Sequence, residues 1–237
     1  MAKNSYFQFK QFRIEQGQCA MKVTTDACLL GAITEVENTG SILDIGAGTG
    51  LLSLMAAQRS QANITAVELD PQACQQASEN FDNSPWPNQL TVINSTIQDF
   101  AATATQRFDC IICNPPFFHN CYKASEKRRS QARHTDTLTF EELASAISKL
   151  LRDTGLAWVM LPVDFSHLFA EAANRYGLKP NKIISVRSSD QHKPHRHITV
   201  IGKSCDVAID EVLSIYKQHP QYSDGFSHLL NPYYLFF

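Results

Sequence analysis

The sequence is short of the features that mark the more specialised protein classes. No apolar run in its 237 residues approaches the roughly 20 needed to span a bilayer. The opening stretch, MAKNSYFQFK, has no continuous apolar core, so no secretory signal is expected. The seven cysteines are odd in number and scattered without a framework spacing. That excludes a disulfide scaffold and fits a reducing, cytoplasmic setting. Internal repeats and low-complexity tracts are absent. Charge of one sign is missing too: 21 Lys and Arg against 23 Asp and Glu leave a net −2. A nucleic-acid partner would have to meet a local basic surface, since there is no global basic field.

What is present is an ordinary globular balance, 43% hydrophobic and 19% charged, in a chain long enough to bury a core without staples. Residues 6–16, with Phe7, Phe9, Phe12 and Ile14, predict one or two short strands around a turn near Lys10–Gln11. Residues 25–34 predict a helix with Thr25 as N-cap and Asp26 in its first turn. From Ser41 strands and helices alternate. SILDI, NITAVEL, QLTVINS, RFDCIIC and GLAWVML read as strands. LLSLMAAQRS and PQACQQASENF read as helices, the second with Pro71 in its first turn. A further helix is expected from Thr139 to Leu151, opened by a Thr139/Glu142 capping box. Another runs from Asp164 to Tyr176, stopped at Gly177. Such alternation predicts a parallel, doubly wound sheet. KIISVRS and HITVIGK follow with no helix between them, so they are expected to pair as an antiparallel hairpin at the sheet edge. DEVLSIYKQ offers one more strand, and the apolar tail FSHLLNPYYLFF is expected to pack back on the domain.

The loop ILDIGAGTGLLSL places Gly46, Gly48 and Gly50 between a strand and a helix, where backbone can approach a ligand. A dinucleotide fingerprint fails here, because the position that needs its third glycine is Leu51. No Gly-Lys-Ser/Thr follows, so a P-loop is excluded as well. Asp44, at the end of the first strand of the alternation, would repel a pyrophosphate and suits an ammonium or sulfonium. Glu68 ends the next strand, where an acid takes ribose hydroxyls. Asp99, after the third, is placed for an adenine amino group. Three acids at successive strand ends, on the edge where open α/β sheets bind ligands, point to S-adenosylmethionine.

Together DIGAGTG, AVELDP, the acid of IQDF and NPPF resemble the motif set of the class I S-adenosylmethionine-dependent methyltransferases. The likeness covers residues 41–118 closely, and the fold to about residue 201. It implies an α/β, Rossmann-like fold: a seven-stranded, mostly parallel sheet with an antiparallel last strand and helices on both faces. It implies a catalytic domain over 41–237, with the tail packed on it, and a 1–40 extension forming a lid. Implied cofactor contacts are Lys22, Thr25, Asp44, Gly46, Gly48, Gly50, Glu68, Asp70, Asp99 and Asn114.

The same resemblance assigns catalysis to Asn114, Pro115, Pro116 and Phe117. In that family an Asn/Asp-Pro-Pro-aromatic motif holds a planar nitrogen whose lone pair is delocalised. An amide oxygen and a peptide carbonyl can each accept one N–H, draw the nitrogen toward tetrahedral geometry and aim its lone pair. Two prolines stiffen the second acceptor, and the aromatic ring can stack on the planar group. NPPF does not separate adenine-N6, guanine-N2 and protein glutamine-N5 methylation, and a non-catalytic RNA-binding protein on the same scaffold is a further alternative.

Two stretches favour RNA. Residues 9–32 resemble the leading segment of bacterial tRNA adenine-N6 methyltransferases that act beside the anticodon of valine tRNA. Residues 122–134 carry Lys123, Lys127, Arg128, Arg129 and Arg133 against Glu126 alone, a local charge suited to a phosphate backbone. The target base would have to leave its stack to react. The expected partner is therefore tRNA, with no separate RNA-binding domain, no membrane and no obligate protein partner.

Two metal-like patterns carry less. Cys110 and Cys113 lie inside an expected strand, on opposite faces, and read as small buried hydrophobes. His192, His195 and His197 lack a Cys or carboxylate at ligand spacing. No metal is expected, and with Lys193 and Arg196 these histidines read as a wet, weakly basic loop that could touch RNA.

Overall fold

Apolar runs with no polar alternate face must be covered on both sides. Ser41–Ile45 is buried at every residue and Phe108–Cys113 at all but one. These two strands form the middle of the sheet. The computed structural model describes residues 5–19, 21–115, 138–204 and 208–237. In chain order its elements are β1 (Tyr6–Gln8), β2 (Arg13–Glu15), α1 (Thr25–Ile33), β3 (Ser41–Ile45), α2 (Leu51–Ala57), β4 (Asn63–Glu68), α3 (Pro71–Asp82), β5 (Leu90–Asn94), α4 (Ile97–Thr103) and β6 (Phe108–Cys113). Then come α5 (Phe140–Leu150), β7 (Leu151–Pro162), α6 (Val163–Arg175), β8 (Lys179–Arg187), β9 (Arg196–Gly202), β10 (Ile209–Ser214), β11 (Tyr216–Gln218), β12 (Gln221–Tyr222) and α7 (Asp224–Leu230).

The main sheet runs β10-β8-β9-β7-β6-β3-β4-β5. Only β9 opposes the rest; it is antiparallel to both β7 and β8, while β10 lies parallel to β8. The mostly parallel sheet and its antiparallel strand match expectation. The strand count and the edge do not. The β8–β9 hairpin forms, but β9 inserts beside β7, and the further strand expected in DEVLSIYKQ joins the sheet as an eighth, β10, which covers β8. Neighbouring strand residues alternate between two cores. Ile42, Cys110, Ile112, Trp158 and Met160 join α1, α2, α3 and α7. Leu43, Ile45, Ile111, Cys113 and Val159 join α5 and α6. Cys110 and Cys113 thus sit in different layers, and burial pushes both thiols well above their ordinary range.

Local chemistry explains most helix ends. Thr139 accepts from the Glu142 backbone while Glu142 accepts from Thr139 N at 2.8 Å, the expected capping box. At α1 the cap is Thr24, not Thr25: its hydroxyl accepts from Ala27 N at 3.2 Å. The Thr24 carbonyl already takes the Cys28 N–H at 3.0 Å, so the helix starts one residue earlier than expected. Helix α4 was not anticipated. Thr96 caps it, accepting from Asp99 N at 3.0 Å. The tail is stitched down by Tyr233 Oη on Met55 O at 3.1 Å and by Gln58 Nε2 on Pro232 O at 3.0 Å.

Gly50, the N-cap of α2, lies in the left-handed region, φ +79°, and a Cβ there would stand 2.4 Å from Phe81 Cε1. Gly50→Ala is expected to lower stability by about 1–3 kcal/mol from backbone strain alone. Urea unfolding measures it, and an unchanged midpoint would show that the turn relaxes freely.

Candidate active site

Strand order reverses at β3: β4 and β5 continue to one side, β6 and β7 to the other. Ligands of open α/β sheets sit beyond the carboxyl ends at such a switch point. Ile45 pairs with Cys113, so Gly46 and Asn114 leave neighbouring strands side by side. Glu68 ends β4 and pairs with Asn94 at the end of β5. The glycine loop, Asn114, Glu68 and the start of α4 therefore share one rim.

Asp44 is fully buried. Its Oδ2 accepts from Ser53 N at 3.1 Å and Ser53 Oγ at 2.7 Å, fixing the start of α2. Its Oδ1 is buried and has no hydrogen-bond partner among the described residues. Burial pushes the Asp44 carboxyl up to about 6; the bonds from Ser53 pull it down, and the Glu68 charge adds to the rise. A cationic group would relieve this acid.

Gly46 and Gly48 hold φ +73° and +54°, and a Cβ on either would meet nothing within 4 Å. They line open space. Glu68 closes the loop from the other side: Oε2 accepts from Gly48 N at 2.7 Å and Oε1 from Asp70 N at 2.9 Å. A carboxylate has about four acceptor sites, so both oxygens retain capacity for ribose hydroxyls. An exposed apolar side chain, Leu69, follows at the mouth. Asn94 Nδ2 donates to Glu68 O and Leu69 O, each at 2.9 Å, pinning that strand exit. The open cradle, the diol-competent acid and the buried acid with a spare oxygen fit a ribose-bearing ligand with a cationic end.

Other expected contacts are placed differently. Asp70 is exposed and caps α3, its Oδ1 accepting from Gln72 N at 2.7 Å and Ala73 N at 3.1 Å. Asp99 is exposed on the same rim and accepts from Thr96 Oγ1 at 2.8 Å. Lys22 and Thr25 are exposed, with Thr25 the first residue of α1. Their segment lies close to the rim nonetheless. The Cys19 thiol is pushed up to about 11, first by burial and then by the Glu68 and Asp70 charges. Asn114 is half-buried and Pro115 buried. Pro116, Phe117 and the basic residues Lys123, Lys127, Arg128, Arg129 and Arg133 lie outside the described residues.

Sequence reasoning missed the side chains that hold the N-terminal segment on the rim. Asn80 is 2% exposed. It accepts from Glu15 N at 2.9 Å and donates to Glu15 O and Thr49 O, each at 2.9 Å. It thereby links β2 to the glycine loop. Val23 N donates to Gln16 Oε1 at 2.9 Å and Gln18 N to Gln76 Oε1 at 3.4 Å. The available signal was a pair of amides, Gln76 and Asn80, four apart on α3 and both buried.

The three histidines go separate ways. His192 Nδ1 meets Ser189 Oγ at 2.8 Å, His197 Nδ1 meets Ser166 Oγ at 2.7 Å, and His195 Nε2 lies 3.6 Å from Asp26 Oδ1. Among the described residues no His/Cys/Asp/Glu group is placed to hold a metal, and no helix is long and apolar enough to cross a membrane.

The methyltransferase small domain family model matches residues 20–159. The tRNA1(Val) (adenine(37)-N6)-methyltransferase of Dyadobacter fermentans is 41% identical, with 100% of each chain covered. The proteins of the same name from Shewanella woodyi and Bacteroides fragilis are 43% and 40% identical, over 87% of each chain and over 97% of this chain and 98% of the other. Among solved structures, a predicted O-methyltransferase from Agrobacterium tumefaciens superposes with TM-score 0.68 at 16% identity, over 87% of this chain and 96% of that one. Ribosomal protein L11 methylase from Lactobacillus delbrueckii gives 0.57 at 14%, over 80% and 83%. These two speak for the fold.

Proposed function

We infer, since the chain belongs to the methyltransferase small domain family and stands among the tRNA1(Val) (adenine(37)-N6)-methyltransferases, that it transfers a methyl group from S-adenosylmethionine to N6 of adenosine 37 in a valine tRNA. The observation that carries this reading at the level of chemistry is the switch point itself. An Asn-Pro exit from β6 leaves beside a glycine cradle flanked by Asp44 and Glu68.

S-adenosylmethionine supplies an electrophilic methyl on a sulfonium. Glu68 would hold the ribose hydroxyls, the Gly46–Gly48 backbone would lie against the cofactor, and Asp44 would offset its positive end. The Asn114 amide oxygen and the Pro115 carbonyl would each accept one N–H of the adenine amine. That turns the lone pair out of the ring plane without a strong base, because the nitrogen becomes acidic once alkylated and releases its proton to water. Phe117 would stack on the purine. Lys123, Lys127, Arg128, Arg129 and Arg133 follow directly in the chain and would meet phosphates. A tRNA partner would put the reaction in the cytoplasm, and the 1–40 segment would act as the lid.

The test offers methyl-labelled cofactor to unmodified tRNA, ribosomal RNA and a protein extract in parallel. Label is expected in N6-methyladenosine from tRNA. Label in N2-methylguanosine or methylglutamine would keep the Asn-Pro-Pro chemistry and overturn the substrate.

A further inference from the structure

The sheet topology brings a second surface to the same rim. β8 and β10 run parallel to β7 and β6, so they end at the edge where Asn114 leaves β6. The β8–β9 loop, residues 188–195, and the β11–β12 hairpin, residues 216–222, both lie there. They are joined: Ile215 N donates to Arg187 O at 2.9 Å and Tyr216 N to Ser188 O at 2.8 Å.

Both pieces are held in place by their own polar groups. Arg187 pairs with Asp190 at 2.5 Å, and Ser214 Oγ donates to Asp190 Oδ1 at 2.6 Å. His192 N donates to Ser189 O at 3.0 Å and His195 N to Val186 O at 2.9 Å. The loop's acid is thereby engaged inside it, and its tip presents His192, Lys193 and Pro194 to solvent. The hairpin carries a ring stack. Tyr216 and Tyr222 lie face to face at 5.0 Å, Tyr222 stacks on Phe226 at 4.9 Å, and His219 stands edge-on to Tyr216 at 5.0 Å. His219 is exposed; Lys217 beside it pairs with Asp224 at 2.8 Å.

We propose that this composite rim is a second tRNA-binding platform, engaging nucleotides other than the methylated base. The exposed His219 imidazole, backed by the half-buried tyrosine stack, can stack on an unpaired base, and a lysine at a rigid tip meets phosphate. The loop spans from β8 to β9, which lie three and two strands from β6, and the hairpin follows β10, four strands away, or about 10–19 Å at the usual strand spacing. The platform is therefore set to one side of the Asn114 exit, over the part of the RNA that flanks the reacting adenine. Its effect falls on RNA affinity and not on the chemical step. The proposal rests on the RNA-methylation reading above and names where the rest of that RNA lies.

The test compares wild type with Lys193→Ala/His219→Ala, and with Lys193→Glu as a second variant; both side chains are exposed. Each is assayed on full-length tRNA and on a single-stranded oligonucleotide of about seven nucleotides carrying the target adenosine. KM for tRNA is expected to rise roughly tenfold. The kcat, the cofactor affinity and the rate on the short oligonucleotide are expected to hold. An unchanged KM for tRNA, or equal losses on both RNAs, would overturn the platform. Fluorescence anisotropy reads tRNA binding without turnover, which keeps the two readings separate. A wild type that binds tRNA but methylates only protein defeats the methylation reading, while weaker binding by the variants still supports the platform. A wild type that binds no tRNA overturns both.

Discussion

Asn114→Ala is expected to leave cofactor affinity within about twofold of wild type while kcat falls by roughly 10²–10³. That is the loss seen when one donor or acceptor aligned to a transition state is removed. The residue stands half-buried immediately after β6. Its predecessor Cys113 is fixed between layers, 1% exposed and paired with Ile45. The backbone that carries the amide is therefore rigid, and Pro115 behind it is buried. Removing the amide leaves that backbone and the Pro115 carbonyl in place, and takes away only the acceptor that turns the amine. Asn114→Asp keeps an acceptor at the same reach and is expected to retain more turnover than Ala. Steady-state methyl transfer to tRNA, with calorimetric titration of the demethylated cofactor, separates the outcomes. Near-normal turnover would remove Asn114 from the reaction. Parallel loss of cofactor binding would make it part of the cofactor site instead.

The rim was legible in the sequence where chemistry and chain order coincide. β3, β4 and β5 are apolar runs broken by Gly, Asp-Pro and Thr, and their ends fall within a residue or two of expectation. The Thr139–Glu142 box was readable because both partners lie within one turn. The Thr96-x-x-Asp99 pattern that starts α4 is of the same kind, but an acid just beyond the third strand of the alternation suits a ligand equally well. Thr24 and Thr25 are chemically alike, so only the backbone decides which one caps. β10 sits beside β8 at a separation of about 27 residues, and Asn80 reaches back 65 residues to Glu15. Neither partner can be found by periodicity, since local patterns carry no record of which distant strand or carbonyl will be adjacent. What tertiary structure adds is the tethering of the N-terminal segment to α3 and the glycine loop.

Asp44 carries the other large expectation, and pH reveals it. In the ligand-free protein its carboxyl is pushed up to about 6 by burial, against about 3.9 in an unfolded chain. Between those values the folded state holds a proton that the unfolded state has released. Apo stability is therefore expected to fall as pH rises from about 4 to about 6, by roughly 2–3 kcal/mol, and then to level off. Asp44→Asn keeps an oxygen for the Ser53 N–H and hydroxyl but has no charge to desolvate. The apo variant should lack that slope and be the more stable form at pH 7–8. Its affinity for S-adenosylmethionine should nonetheless fall about 10- to 100-fold, because a buried anion that is costly alone favours a cation brought beside it. For the same reason wild-type affinity should weaken as pH drops through 6. Subtracting variant from wild type in urea titrations from pH 4.5 to 8 removes the contribution of the titrating groups that are not coupled to Asp44, and calorimetry gives the binding side. A variant less stable than wild type, with unchanged cofactor affinity, would show that Asp44 serves only to anchor α2 through Ser53. The opposite pair of signs, gained stability and lost binding, is what a side chain retained for its ligand must show, since a cap retained for the fold has no reason to keep an oxygen unpartnered.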